Sequence, residues 1–179
     1  MTDILPLSHP YNLARLGNAG DAVTFSADPE QRAAIARWSG VLSVEAFSVT
    51  VDIRKAGPVH FGLTFRLTAD VTQACVVTLD PVPAHLEQSF SRDLHFTGPA
   101  RHRAERAPPK DSESEVDLTA EEEGPEEIES LRYDLAGPAL EEYVLALEPY
   151  PRRPGVAFQA QTGGQERPES PFAVLKGLK

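Results

Sequence analysis

The chain has 179 residues, 41% of them hydrophobic and 7% aromatic, with 16 prolines and a formal net charge of −10. That length suits one domain with tails, able to bury a core without disulfides, and the single cysteine, Cys75, excludes an internal disulfide or an all-cysteine zinc site. Collagen, coiled-coil and disulfide-scaffold classes are excluded too, and so acidic a chain is a poor general binder of nucleic-acid phosphate.

Met1–Pro10 lacks a basic start followed by an apolar run, and no stretch approaches the ~20 apolar residues that span a bilayer. The expectation is a cytoplasmic protein without membrane association. Val23–Ala27 predicts a short strand. Asp28 then suits a helix N-cap, Pro29 the first helical position and Gln31 the far side of a capping box. The helix is expected over Pro29–Ser39, ending at Gly40, with Ile35 and Trp38 both facing a core.

The clearest signal follows. Phe47, Val49, Val51 and Ile53 alternate with polar residues, and so do Val59, Phe61, Leu63, Phe65, Leu67, Ala69 and Val71. Period-two alternation of this length predicts strands with one buried face. Lys55-Ala56-Gly57-Pro58 makes the two runs a hairpin. Leu42, Val44 and Ala46 alternate in the opposite phase, which predicts a β-bulge or a change of face near Phe47. A further strand is expected at Gln73–Leu79 and another at Ala84–Thr97, whose odd positions from His85 to His95 are all polar. Leu131–Leu135 predicts one more strand. Pro138–Leu147 predicts a helix with Leu140, Val144 and Leu147 on its stripe and Tyr143 beside it.

The acidity is concentrated. Residues 100–150 hold fifteen acidic and five basic side chains, while residues 151–179 carry a small positive excess. Between 99 and 129, Pro108, Pro109, Glu121–Glu123, Gly124 and Pro125 accompany little apolar surface beyond Val116, Leu118 and Ile128. Burial there cannot offset the ordering entropy of about 1–2 kcal/mol per residue, so a disordered acidic insertion is expected. Residues 155–170 read as a flexible tail before a short terminal helix that starts at Ser170-Pro171 and carries Phe172, Leu175 and Leu178. The expected whole is a single domain, 1–179, of the α+β class. It has an antiparallel curled sheet or partly closed barrel of long strands, two or three helices and the acidic insertion.

Chemistry is sparse. There is no phosphate-binding glycine loop, nucleophile elbow or zinc-protease helix motif. His60, His85 and His95 fall on polar strand faces and read as solvated. Cys75 reads as a small packed hydrophobe, and a nucleophilic role would need His85 or His95 at hydrogen-bond distance. No catalytic residue, metal ligand or cofactor is assigned.

Four stretches carry a resemblance. They are Val71-Thr72-Gln73-Ala74-Cys75-Val76-Val77-Thr78-Leu79-Asp80-Pro81-Val82 and Asp28–Trp38, then Tyr133-Asp134-Leu135 through Glu141-Glu142 to Leu147-Glu148-Pro149-Tyr150-Pro151-Arg152, and finally Pro171–Lys179. Taken in chain order they resemble the bacterial YceD family, the large ribosomal RNA subunit accumulation proteins. The resemblance implies a part in the synthesis, processing or stability of 23S ribosomal RNA and in large-subunit assembly, with no known enzymatic activity. It makes Gln73, Cys75, Val76, Thr78, Leu79 and Pro81 signature residues, structural or partner-binding. Many relatives carry a C-x-x-C pair where this chain has Cys75 and Thr78, so the chain resembles a metal-free branch and no zinc-dependent role carries over.

Basic residues that could touch RNA or a partner are Arg101, Arg103 and Arg106, with Arg152, Arg153, Lys176 and Lys179 nearer the C-terminus. Flexible solubilising charge is the plainer reading of them. The functional expectation is therefore action through a protein partner, a ribosomal protein or assembly component drawn to the acidic segment, with contact to 23S RNA indirect and none to DNA. Alternatives are a β-sheet module for a small ligand and a thiol enzyme using Cys75.

Overall fold

The structure, a computed structural model, describes residues 5–98 and 124–156. In chain order it contains β1 (Pro10–Asn12), a 3-10 turn (Leu13–Arg15), β2 (Asp21–Ser26), α1 (Pro29–Ser39) and β3 (Ser43–Lys55). Then follow β4 (His60–Ala74), β5 (Pro81–Phe96), β6 (Glu126–Ile128), β7 (Arg132–Asp134) and α2 (Ala136–Ala146). The fold is α+β.

The long alternating runs form the heart of it. β3, β4 and β5 are antiparallel neighbours, and β2 and β6 complete a five-stranded sheet in the order β2-β3-β4-β5-β6. Val49, Val51, Ile53, Phe61, Leu63, Phe65, Leu67, Ala69 and Val71 all lie on its covered face and are buried. Their even-numbered neighbours in β4 from Thr64 to Asp70 are exposed. The register of β3 against β4 shifts between Val44 and Ala46, which is the expected bulge and explains the change of phase before Phe47. β5 and β6 pair in parallel, so the sheet is mixed, and β2 and β6 remain as open edges, so it does not close into a barrel among the described residues.

α1 forms as its caps dictate. Asp28 accepts from the Gln31 backbone N–H at 2.8 Å, Gln31 Oε1 accepts from the Asp28 N–H at 2.8 Å, and Gly40 ends the helix at φ +74°. Its buried residues are Ile35 and Ala36, and Trp38 is 39% exposed. The expectation of a core tryptophan fails because Ile35 shares its face with Ser39, one full turn on, and leaves Trp38 at the rim of the contact. α2 starts two residues before the expected Pro138. It buries Ala136, Ala139, Leu140 and Tyr143 at offsets of zero, three, four and seven, and leaves Val144 exposed. Leu140 is buried as expected, while Tyr143 takes the place expected of Val144. The Tyr143 ring meets Phe47 edge-on at 5.6 Å, and its hydroxyl lies 3.4 Å from Ser39 Oγ at the end of α1, so both helices meet over the bulged end of β3.

Three further expectations are corrected. Gln73–Leu79 is not a strand. Nothing turns the chain between Val71 and Gln73, so β4 continues to Ala74, and the β-branched residues after Cys75 form the hairpin turn into β5. The acidic insertion was expected to reach Glu129, yet Glu126–Ile128 is β6, where Ile128 enters the core. Arg132–Asp134, inside the expected strand, pairs with β1 in a separate two-stranded sheet, and β1 itself was not expected. Residues 99–123 of the insertion and 157–170 of the tail, with the terminal helix, lie outside the described residues. No described helix is long and apolar enough to cross a membrane.

Candidate functional site

The β4–β5 turn is where the signature residues gather. Cys75 N–H donates to the Asp80 carbonyl and Leu79 N–H to the Cys75 carbonyl, both at 2.8 Å, closing a tight loop. Asp80 N–H approaches Thr78 Oγ1 at 3.4 Å. Leu79 takes a left-handed backbone, φ +64°, a conformation that costs an L-residue roughly 1–2 kcal/mol.

The segment after α2 packs into this loop. Gln73 Nε2 donates to the Glu148 carbonyl at 2.9 Å, and Val76 N–H donates to the Pro151 carbonyl at 2.9 Å. Arg153 N–H approaches Cys75 Sγ at 3.5 Å, while Arg153 Nη1 pairs with Asp80 Oδ2 at 3.2 Å. That ion pair is largely solvated and contributes little by itself. Prolines 149, 151 and 154 lack an N–H, so this stretch cannot continue a helix or build a ladder. Its carbonyls are left for donors from the turn.

Cys75 is fully buried and free. Donation to its sulfur by the Thr78 hydroxyl, then by the backbone N–H groups of Arg153, Thr78 and Val77, lowers the thiol to about 6 against an opposing push from burial. The turn is thus a small cradle of donors that favours a thiolate. Neither candidate histidine is placed to act as its base. His85 Nδ1 lies 2.6 Å from Asp70 Oδ1, and His95 stacks on His60 at 4.5 Å near the opposite end of the hairpin. Among the described residues no cluster of three or more His, Cys, Asp or Glu is arranged to hold a metal.

Of the predicted site residues, Gln73 and Cys75 are buried and face the docked segment. Val76, Thr78, Leu79 and Pro81 are exposed around them, with Leu79 at 75%. Arg152 and Arg153 are exposed beside the turn, and Lys176 and Lys179, like Arg101, Arg103 and Arg106, lie outside the described residues. Asp80, Glu148 and Pro151 were missed as site residues. A proline-punctuated stretch with unused carbonyls was the signal available for the last two.

Two of the shallow hollows elsewhere border β5. One, about 370 Å³, runs over the open sheet face between Ser48, Thr50, Arg66, Thr68, Glu87 and Ser89. The other, about 360 Å³, lies between Arg92, Glu126, Tyr133, Asp134 and Glu141. There the Tyr133 hydroxyl donates to Glu126 Oε2 at 3.1 Å, and burial raises the tyrosine above its ordinary value. Both hollows are shallow and open, with polar and apolar lining in similar measure, unlike the enclosed and mostly apolar walls of a small-molecule pocket. The chain matches no family model, no curated protein and no solved structure.

Proposed function

We propose that this chain is a non-enzymatic cytoplasmic factor that supports 23S ribosomal RNA accumulation and large-subunit assembly by binding a protein partner. The supporting observation is the union of two stretches of the resemblance that lie 75 positions apart, joined through Gln73–Glu148 and Val76–Pro151. Segments that interlock to build one feature give their shared residue pattern a physical reason. The exposed Val76, Leu79 and Tyr150 around that feature offer apolar contact area to a macromolecule. The acidic stretch, including the exposed Glu126, Glu127 and Glu129, would attract a basic ribosomal protein.

The deciding experiment is a ribosome profile from cells lacking the gene. The expected result is fewer free large subunits and less mature 23S RNA, both restored by the wild-type chain and by Cys75→Ser. Normal profiles overturn the reading, and failure of Cys75→Ser alone, with the fold intact, points to a thiol enzyme instead. A pull-down with the full chain should recover a basic ribosomal protein, and removal of residues 101–123 should weaken it. Tight, salt-sensitive binding of purified chain to 23S fragments would replace the indirect RNA contact with a direct one.

A further inference from the structure

Two bonds fix which way the backbone of β5 faces. Phe96 N–H donates to the Val59 carbonyl, and Cys75 N–H to the Asp80 carbonyl, both at 2.8 Å. Each joins an odd-numbered residue on the β4 side to an even-numbered one on the β5 side, in the register that sets His60 against His95. Even residues of β5 therefore turn their N–H and C=O groups to β4, and odd residues turn theirs outward. The parallel pairing of β6 with Leu94–Phe96 takes the outward groups from the Asp93 carbonyl onward. Before it, the outward N–H and C=O groups of His85, Glu87, Ser89 and Ser91 bond to nothing among the described residues. His85–Ser91, at ~3.4 Å per residue, makes an open edge of roughly 24 Å. Pro83, which has no N–H, closes its far end.

The side chains flanking this edge differ between its two sides. On the covered side Phe65 and Leu67 of β4 are fully buried, while Phe90 and Gln88, their partners in β5, are only half-buried. The covered layer thus stops one strand short. α2 runs past β5 in the opposite direction. Glu141 Oε2 meets Arg92 Nη2 at 3.3 Å, and the Glu148 carbonyl meets Gln73, which the register sets against Val82. Leu145, one turn beyond Glu141 on the same helix face, is 78% exposed. On the open side the strand carries Glu87 and Asp93, both exposed, and the exposed Glu126 and Glu141 lie near its β6 end. The cations nearby are already held: Arg92 by Glu141, Arg66 by Asp52 and His85 by Asp70.

We propose that the His85–Ser91 edge of β5 takes an extended basic segment of a protein partner as an added strand. Main-chain bonds to the four outward residues supply the affinity, and alternate side chains supply the choice of partner. Those turned to the covered side continue the layer of Leu86 and Phe90 beside Leu145, so they are apolar. Those turned to the open side stand beside Glu87, so they are lysine or arginine. The unpaired carboxylates around the edge oppose a nucleic-acid backbone, and they oppose a second copy of this acidic chain. The proposal rests on the ribosomal reading for its class of partner, a basic protein, and adds where and in what conformation that partner is held.

Amide hydrogen exchange of the full chain, read by NMR with a blocked peptide of alternating lysine and valine, tests it. The amides of His85, Glu87, Ser89 and Ser91 should exchange fast in the free chain and slow down with the peptide. The even-numbered amides of β5, already bonded to β4, should change little. A matched glutamate–valine peptide should protect none of them. Ser89→Pro removes an N–H that bonds to nothing within the described chain, so it should keep the fold and lose the peptide. Should it fail to fold, Glu87→Lys and Leu145→Asp decide, each expected to bind the lysine peptide several-fold more weakly. Protection of the four amides without peptide, no protection with it, equal protection by both peptides, or unchanged binding in the variants overturns the proposal. The peptide assay contains no ribosomal component. A normal ribosome profile with a protected edge therefore removes only the ribosomal reading, and an altered profile with an unprotected edge removes only the added strand.

Discussion

Gln73 and Glu148 are joined by one hydrogen bond, Nε2 to carbonyl oxygen at 2.9 Å, across 75 positions of the chain. Gln73 is the one polar side chain among the buried described residues, at 8% exposure. It sits at the end of β4, where the odd positions face the core, and its amide reaches the first carbonyls beyond α2. With the Val76–Pro151 backbone bond it forms the tether that holds the proline-rich segment against the hairpin turn.

Removing that amide leaves the Glu148 carbonyl without its donor in a half-buried place. Gln73→Leu keeps the apolar volume and is expected to lower stability by about 1–3 kcal/mol, the usual cost of stranding such a group. Urea unfolding reads this as a lower midpoint at constant slope. Amide exchange should also quicken at Val76, whose N–H shares the tether, while the centre of β4 stays protected.

Cys75 makes stability depend on pH in a calculable direction. The donors around its sulfur favour the thiolate, so its folded-state value is about 6 against an ordinary 9.0. A depressed acid contributes stability that is complete above its unfolded value and is lost as pH falls through its folded value. The difference in unfolding free energy between the wild type and Cys75→Ala should therefore grow from about pH 6 to pH 9 and level off beyond. A flat difference across that window would mean that the sulfur is bound as a thiol. Thr78→Val removes the foremost donor and should raise the midpoint of a thiolate absorbance titration.

Much of this architecture is legible in the sequence because its signals are local. The capping box at Asp28 and Gln31, the stop at Gly40 and the alternation from Phe61 to Val71 each state a conformation within a few residues. What is not legible is decided at a distance. Val76, Val77 and Thr78 have strong strand propensity, yet Cys75 N–H finds the Asp80 carbonyl and the chain turns there. Glu126–Ile128 has almost no strand signature, and only the presence of the outer side of Leu94–Phe96 makes it β6. In the site, the importance of Gln73 and Cys75 came from the resemblance and Arg153 stood out as a basic candidate, whereas the pairing of Gln73 with Glu148 and of Cys75 with Arg153 emerges only once the segment after α2 meets the turn.

The cap of α1 offers a clean measure of local stabilisation. Asp28 satisfies the Gln31 N–H and Gln31 returns the bond, both far from the hairpin turn. Asp28→Ala should cost about 0.5–2 kcal/mol, and Gln31→Ala less, since only the reciprocal bond is lost. Measured with Gln73→Leu, the two losses should add, because the sites share no partners. A coupling well above ~0.5 kcal/mol would show that α1 and the tether unfold as one unit.

Leu79 is the residue that local energetics justify least. It is 75% exposed and holds φ at +64°, so it neither fills the core nor suits its backbone. Glycine relieves the left-handed strain, worth roughly 1–2 kcal/mol, and gives back part of it as chain entropy, about 0.5–1 kcal/mol. Leu79→Gly should therefore leave the isolated protein as stable as the wild type or more stable by up to about 1 kcal/mol. If Leu79 is kept for contact with a partner, the same substitution should weaken capture of the basic ribosomal protein in the pull-down while the melting temperature holds or rises. A loss of stability without loss of binding would instead assign Leu79 to the folding of the turn.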